Sequence, residues 1–172
     1  MSGKRSRDST QEDFIDSPVF KLLQTASLLA RPFIETIGPE RDLTLPEWRS
    51  LVVLFSRGEL SNTEVAELTG LDAMSVSRAL DRLKRNDRVE RTRDTVDARR
   101  QINRLTPSGK AVYRAVVKLA RERQEAMIDG LGEEEITAFH QTLGKILQHL
   151  RETSGPARSP AQAAIPLAKR RN

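Results

Sequence analysis

Apolar residues recur at helical spacing through most of the chain, and the pattern turns to strand-like alternation only once. In residues 14–37 the positions Phe20, Leu23, Leu28, Ala30, Ile34 and Ile37 fit one helical face. Pro32 lacks an amide proton, which predicts a kink or early break there, and Gly38-Pro39 closes the segment. A second helix starts at Leu43-Thr44-Leu45-Pro46-Glu47, with Thr44 as cap, Glu47 three residues on and Pro46 in the first turn. Trp48, Leu51, Val52 and Phe55 give it an apolar stripe, and Gly58 ends it. Ser61-Asn62-Thr63-Glu64 has the form of a capping box, opening a short helix through Val65, Ala66 and Leu68 that Gly70 closes. Asp72 caps the next helix, whose buried face is Val76, Ala79, Leu80 and Leu83.

The period then changes from 3.6 to 2. Arg88 to Arg93 alternates, Asp94 to Arg100 is polar and charged, and Gln101 to Leu105 alternates again, which predicts a hairpin with Val89, Ile102 and Leu105 facing the core. Thr106-Pro107-Ser108-Gly109 opens a long helix through Ala111, Val112, Ala115, Val116, Leu119 and Ala120, ending near Gly130. Glu133, Glu134 and Glu135 suit the positive end of a last helix, in which Ile136, Phe139, Leu143, Ile146 and Leu150 alternate spacings of three and four. Residues 1–13 and 153–172 lack apolar periodicity and read as a disordered arm and a disordered basic tail. The fold expected is mainly α with a small β-hairpin wing.

Composition narrows the chemistry. With no Cys, the 172-residue chain has no disulfide, thiolate metal site or thiol redox sensor. His140 and His149 are its two histidines, so no zinc site is expected. No apolar run is long enough to span a membrane, and the polar N-terminus does not resemble a signal peptide, so the expectation is a cytoplasmic protein. There is no phosphate loop, no nucleophile with an evident base and no ligand cluster, which argues against an enzyme and predicts neither cofactor nor metal. Aromatic residues make up only 4%, too few for base-stacking platforms on single strands.

Charge is unevenly placed. From Met74 to Arg104 ten basic residues face five acidic ones, which matches the net +5 of the whole chain. That surplus sits on the predicted third helix and hairpin, and it suits a polyanion. A short helix, a tight turn at Gly70 and a second helix from Asp72 form a helix-turn-helix pattern, whose second helix enters a major groove of double-stranded DNA. With the apolar face turned inward, Met74, Ser75, Ser77, Arg78, Asp81, Arg82 and Arg85 point outward. Of these, Met74, Ser75, Ser77, Arg78, Arg82 and Arg85 are the candidate DNA contacts. In the loop of the hairpin, Arg99 and Arg100 are candidates for a neighbouring minor groove, and Asp97 stands two residues before Arg99 to hold its guanidinium. The bland alternative is a solvated charged surface on a helical protein-interaction module.

The ordered set of motifs resembles the MarR family of winged helix-turn-helix transcriptional regulators. The likeness rests on Leu60 to Asp72, on Val76-Ser77-Arg78-Ala79-Leu80-Asp81-Arg82-Leu83, on Val89-Glu90-Arg91, on Asp97-Ala98-Arg99 and on Leu105 to Gly109. With the flanking helices, it extends over roughly residues 14–152. It implies a DNA-binding domain over 44–106 and a helical dimerisation domain built from 14–40 and 107–152, in a homodimer that binds a palindromic operator. The narrow stripe of the last helix independently calls for something to bury it, a partner or, as the alternative, packing within the monomer. The resemblance further implies a repressor released by a small effector, an aromatic or phenolic acid or its coenzyme A thioester. Candidate lining residues for that effector are Phe33, Trp48, Arg49, Leu51 and Tyr113, with Arg31 or Arg49 for its anionic group. A constitutive or architectural DNA-binding protein without effector is the alternative.

Overall fold

The computed structural model describes residues 14–93 and 100–153. The predicted arm, the loop over 94–99 and the tail beyond Thr153 lie outside the described residues. The chain divides into two compact units, one up to Leu45 and one from Pro46.

In the first unit a 3-10 turn at Phe14–Asp16 leads to α1, Pro18–Pro32. Ser17 caps α1 by accepting from the Phe20 amide at 3.2 Å, with Pro18 in the first turn where a missing N–H costs nothing. Regular α-helix ends at Pro32, where the sequence predicts a kink or early break, but the helical path continues. The helix runs on through one π turn, Phe33–Ile37, in which the Gly38 amide donates to the Phe33 carbonyl five residues back, and then through the short α2, Gly38–Glu40. Inserting a π turn is a known way to absorb a lost i→i−4 bond. Gly38 is therefore not a terminator. Its place is fixed by close approach, since a Cβ there would stand 2.6 Å from the Leu43 carbonyl oxygen.

The second unit contains α3 (Leu45–Arg57, whose first residue lies at the boundary), β1 (Leu60–Ser61), α4 (Asn62–Thr69), α5 (Ala73–Arg85), β2 (Val89–Arg93), β3 (Gln101–Leu105), α6 (Pro107–Ile128) and α7 (Glu133–Thr153). The predicted hairpin is present, and β1 adds a third antiparallel strand in the order β1-β3-β2. Leu60 pairs with Asn103, and Val89 pairs with Leu105. Leu51, Leu54, Val65, Val76, Leu80, Leu83, Val89 and Val116 form the core of this unit, and each is essentially sealed from solvent.

Two predicted faces shift. In α3 the buried residues are Glu47, Ser50, Leu51 and Leu54, while Trp48 and Val52 are half-buried and Phe55 is exposed. The hydrophobic pattern alone missed this because two polar residues share the inward face. In β3 the inward residues are Asn103 and Leu105, whereas Ile102 is only half-buried. A strand alternates with period 2, so positions 102 and 105 cannot share a face.

The root of the wing is locked to α6. Thr106 caps α6 by accepting from the Gly109 amide at 3.0 Å, and its hydroxyl donates to the Asp87 carbonyl at 2.6 Å. Its amide donates to the Arg88 carbonyl. Gly109 lies against that same carbonyl, where any Cβ would overlap the oxygen. The Thr-Pro-Ser-Gly motif is thus a clasp between α6 and the α5–β2 turn. By contrast α1 and α7 each bury no residue, and Val19, Leu23, Leu28, Phe139, Ile146, Leu147 and Leu150 are exposed on them. No helix among the described residues is long and apolar enough to cross a membrane.

Candidate nucleic-acid interface

The helix-turn-helix is built by short-range caps. At α4 the Ser61 amide donates to Glu64 Oε2 at 2.7 Å while Ser61 Oγ accepts from the Glu64 amide at 3.3 Å, completing the predicted capping box. Gly70 ends α4 at φ 68°, a left-handed conformation that a side chain would strain. Two residues later Asp72 caps α5, with Oδ1 accepting from the Ser75 amide at 2.9 Å and Oδ2 accepting from the Ser75 hydroxyl at 2.6 Å. That hydroxyl, and after it the amide, holds the Asp72 carboxyl below the usual aspartate range. Ser75 therefore completes a cap, and its proton is already committed.

The outward face of α5 divides into two halves. Near the N-terminus Met74 is 63% exposed, Ser77 is half-buried and Arg78 is exposed, with no ion pair to Arg78 among the described residues. Farther along, the side chains turn back to the protein. Arg82 Nη1 donates to Glu47 Oε2 at 2.8 Å, and Glu47 is 0% exposed while Arg82 is 32% exposed. Sequence spacing placed Arg82 outward beside Arg78, but its partner lies 35 residues away on α3. Removing one partner from a buried pair costs about 3–5 kcal/mol. A bidentate arginine–guanine contact provides about 1–3 kcal/mol of discrimination. The balance favours Arg82 staying on Glu47. Asp81, also read as outward, accepts from Arg91 Nη1 at 2.9 Å. Arg85, in the last turn, is exposed.

Arg91 continues a relay through the sheet. Its Nε donates to Asn103 Oδ1 at 3.0 Å, and Asn103 Nδ2 donates to the Leu60 carbonyl at 3.0 Å and to Asn62 Oδ1 at 2.9 Å. Asn103 is wholly buried, and these bonds meet the need of a buried amide for partners. One relay thus ties α5, β2, β3, β1 and α4 into one piece. Sequence reasoning missed Glu47, Arg91 and Asn103. Asn103 was findable, because strand alternation puts it on the face of Leu105, and Glu47 stands one helical turn before Leu51.

Of the wing candidates, Asp97 and Arg99 lie outside the described residues. Arg100 is exposed and leans on α4, 3.5 Å from Glu64 Oε2 and 3.4 Å from Ser61 Oγ. At the wing root Arg104 bonds Glu90 at 2.8 Å and faces Glu59 at 3.5 Å. The hydrogen bond to Glu90 raises the Arg104 pKa further above its ordinary value.

The effector candidates fall in both units. In the first, Arg31 lies 3.8 Å from Glu35 one turn on, and Phe33 is buried. In the second, Arg49 is exposed and Leu51 is fully buried, so Leu51 is core and has no surface to offer a ligand. Trp48 and Tyr113 stack at 5.6 Å between ring centroids, and Phe55 stacks on Tyr113 at 3.9 Å, so Tyr113 packs against both rings. A cleft of about 460 Å³ lies nearby, lined among others by Leu54, Phe55, Arg104, Lys110 and Arg114. None of the six effector candidates lines it.

Comparison with known proteins agrees with this architecture. Residues 43–100 match the sequence model of the MarR family. The HTH-type transcriptional regulator YsmB of Bacillus subtilis (strain 168) is 29% identical over 107 residues, 62% of this chain and 73% of YsmB. Among solved structures, a probable transcriptional regulator from Pseudomonas aeruginosa superposes with a TM-score of 0.67 at 28% identity, covering 76% of this chain and 97% of that one. BpsR of Bordetella bronchiseptica, whose DNA binding is regulated by 6-hydroxynicotinic acid, gives a TM-score of 0.70 at 26% identity over 77% of this chain and 94% of BpsR. With capped helix pair, tight turn and three-stranded wing in the same order, residues 43–100 form a winged helix-turn-helix that matches the MarR family of transcriptional regulators.

Proposed function

We propose that the chain is a homodimeric repressor that binds a palindromic operator through α5 and releases it when a small aromatic or phenolic acid, or its coenzyme A thioester, binds. The observation that carries the DNA reading is the N-terminal half of α5, with exposed Met74, half-buried Ser77 and exposed Arg78, which has no ion pair among the described residues, on a firmly capped helix after a tight turn. Arg85 in the last turn of α5 and Arg100 beside α4 are further exposed cations, and the sequence adds Asp97 and Arg99 in the wing loop. Cations at the edges of such a surface meet phosphates and set register without reading sequence. Dimerisation is supported by the uncovered apolar residues of α1 and α7. A twofold dimer matches two half-sites about one helical turn apart. The likeness to BpsR, with its 6-hydroxynicotinic acid, supports an aromatic acid as the signal. The effector would favour a dimer whose α5 helices are wrongly spaced for successive major grooves, and only differential affinity for the two forms can do this.

A gel shift on the DNA upstream of this protein's own gene and its neighbours tests the proposal, run with and without a panel of aromatic acids and their coenzyme A thioesters. The expected result is a sharp shift that one compound abolishes. A sharp shift that no compound abolishes would remove the effector and leave a constitutive DNA-binding protein. Binding that ignores sequence at moderate salt would overturn the operator reading.

A further inference from the structure

We infer that α5 reads bases with Met74, Ser77 and Arg78 alone, that Arg82 and Asp81 are positioning residues which never leave the protein, and that each half-site presents a thymine methyl to Met74 and a guanine to Arg78. The inference rests on the reading that the chain binds an operator through α5.

The outward row of α5 runs 74, 77, 78, 81, 82, 85, a single helical face. Spacing alone would let every member reach a groove. The hydrogen bonds sort them. Ser75 is bound to the Asp72 carboxylate, Asp81 to Arg91, and Arg82 to a carboxylate sealed in the core. What remains toward the helix N-terminus, the end that enters a groove, is one thioether, one hydroxyl and one guanidinium. Their chemistry names the bases. A flexible apolar chain 63% exposed on an otherwise polar face matches the C5 methyl of thymine, the one apolar group in the major groove. An exposed guanidinium with no ion pair among the described residues matches O6 and N7 of guanine. Ser77, with a donor and an acceptor, discriminates poorly and adds a contact to either strand. Four residues separate Met74 from Arg78, about 6 Å along the axis, so thymine and guanine lie within about two base-pair steps of each other.

The two tethered residues have a different task. The Arg82–Glu47 pair fastens α5 to α3, and the Asp81–Arg91 pair fastens it to the wing. Together they fix the angle at which the free half of the helix leaves the protein. Losing either tether lowers affinity for every sequence alike, whereas losing a reader changes which sequence is preferred.

The test is binding-site selection from a randomised duplex with the full-length protein, repeated for Met74→Ala, Arg78→Ala, Arg82→Ala and Glu47→Gln. Met74 and Arg78 are exposed, so their variants keep the fold, and circular dichroism checks all four. The wild type is expected to select a half-site containing thymine and guanine within that spacing. Replacing the selected thymine by deoxyuridine removes only the methyl, and affinity falls about fourfold for wild type, the worth of one buried methyl-sized group, and not at all for Met74→Ala. Arg78→Ala loses at least about fivefold of the preference for guanine. Arg82→Ala and Glu47→Gln bind more weakly but select the same site. A changed base preference in Arg82→Ala overturns the positioning role. Indifference of the wild type to deoxyuridine overturns the methyl contact. Selection of no site by the wild type overturns the operator reading itself, and with it this inference.

Discussion

Helices α5 and α7 are both amphipathic, both firmly started, and opposite in what covers them. α5 has 13 residues and buries Val76, Ala79, Leu80 and Leu83 within its own unit. α7 has 21 residues, begins where Glu135 accepts from the Gly132 amide at 2.8 Å, and buries none. An apolar stripe therefore states that a helix needs a partner surface but not where the surface comes from. In α5 the stripe is consumed inside the unit and the exposed face is polar, which leaves that face available for a ligand. In α7 the exposed face is the apolar one, and a second copy of the chain is the cover proposed above.

The contrast can be broken from either side. The largest effect is expected at Gly109, where the backbone that follows α5 is clasped. Gly109→Ala must push the Arg88 carbonyl away, and Arg88 also donates its amide to the Leu83 carbonyl at the end of α5. A loss of about 3 kcal/mol or more is expected from urea unfolding, as for other overpacked sites. On the other side, Leu147→Glu on α7 should leave the protomer's helix content unchanged, because Leu147 touches solvent. It should weaken self-association by about 100-fold in sedimentation equilibrium, since a twofold interface feels each substitution twice. Unchanged self-association would move the dimer contact away from α7.

The smallest effect sharpens the account of α5. Asp72 has its pKa lowered in the folded state, so its contribution is present above the ordinary aspartate range and is lost as pH falls through the folded value. Asn is also a good cap, so Asp72→Asn should melt close to wild type at neutral pH. As pH falls through the carboxylate range, wild type should lose the contribution of this cap and the variant should not. Parallel melting curves across that range would deny the ionised cap a part in stability.

What the sequence made legible follows the range of the interactions. The caps at Ser61 and Asp72 and the left-handed stop at Gly70 are decided within three residues, and each is present as read. The hairpin was legible because ten alternating residues carry its period. β1 was not, since two residues, Leu60 and Ser61, are too few to show any period. The polar core was hidden for another reason. Glu47 and Asn103 are buried because Arg82 and Arg91 meet them across 35 and 12 residues, and a hydrophobicity pattern counts both as surface. The same blindness placed Arg82 among the outward cations. Met74, Ser77 and Arg78 needed no distant partner to be placed, and they lie on the surface where the helical period puts them.

β1 ends at Ser61 and α4 begins at Asn62, so the strand residue paired with Ile102 is also the cap of the next helix. There is no connecting residue to flex. The wing strand is thus joined to α4 without a linker, and the Asn103 amide bolts the same junction from the side through Leu60 and Asn62. In kinematic terms the assembly has lost its internal joints and behaves as a lever. In the proposed dimer, a signal that changes the spacing between two such levers would act at their fulcrum, in the segments outside the lever.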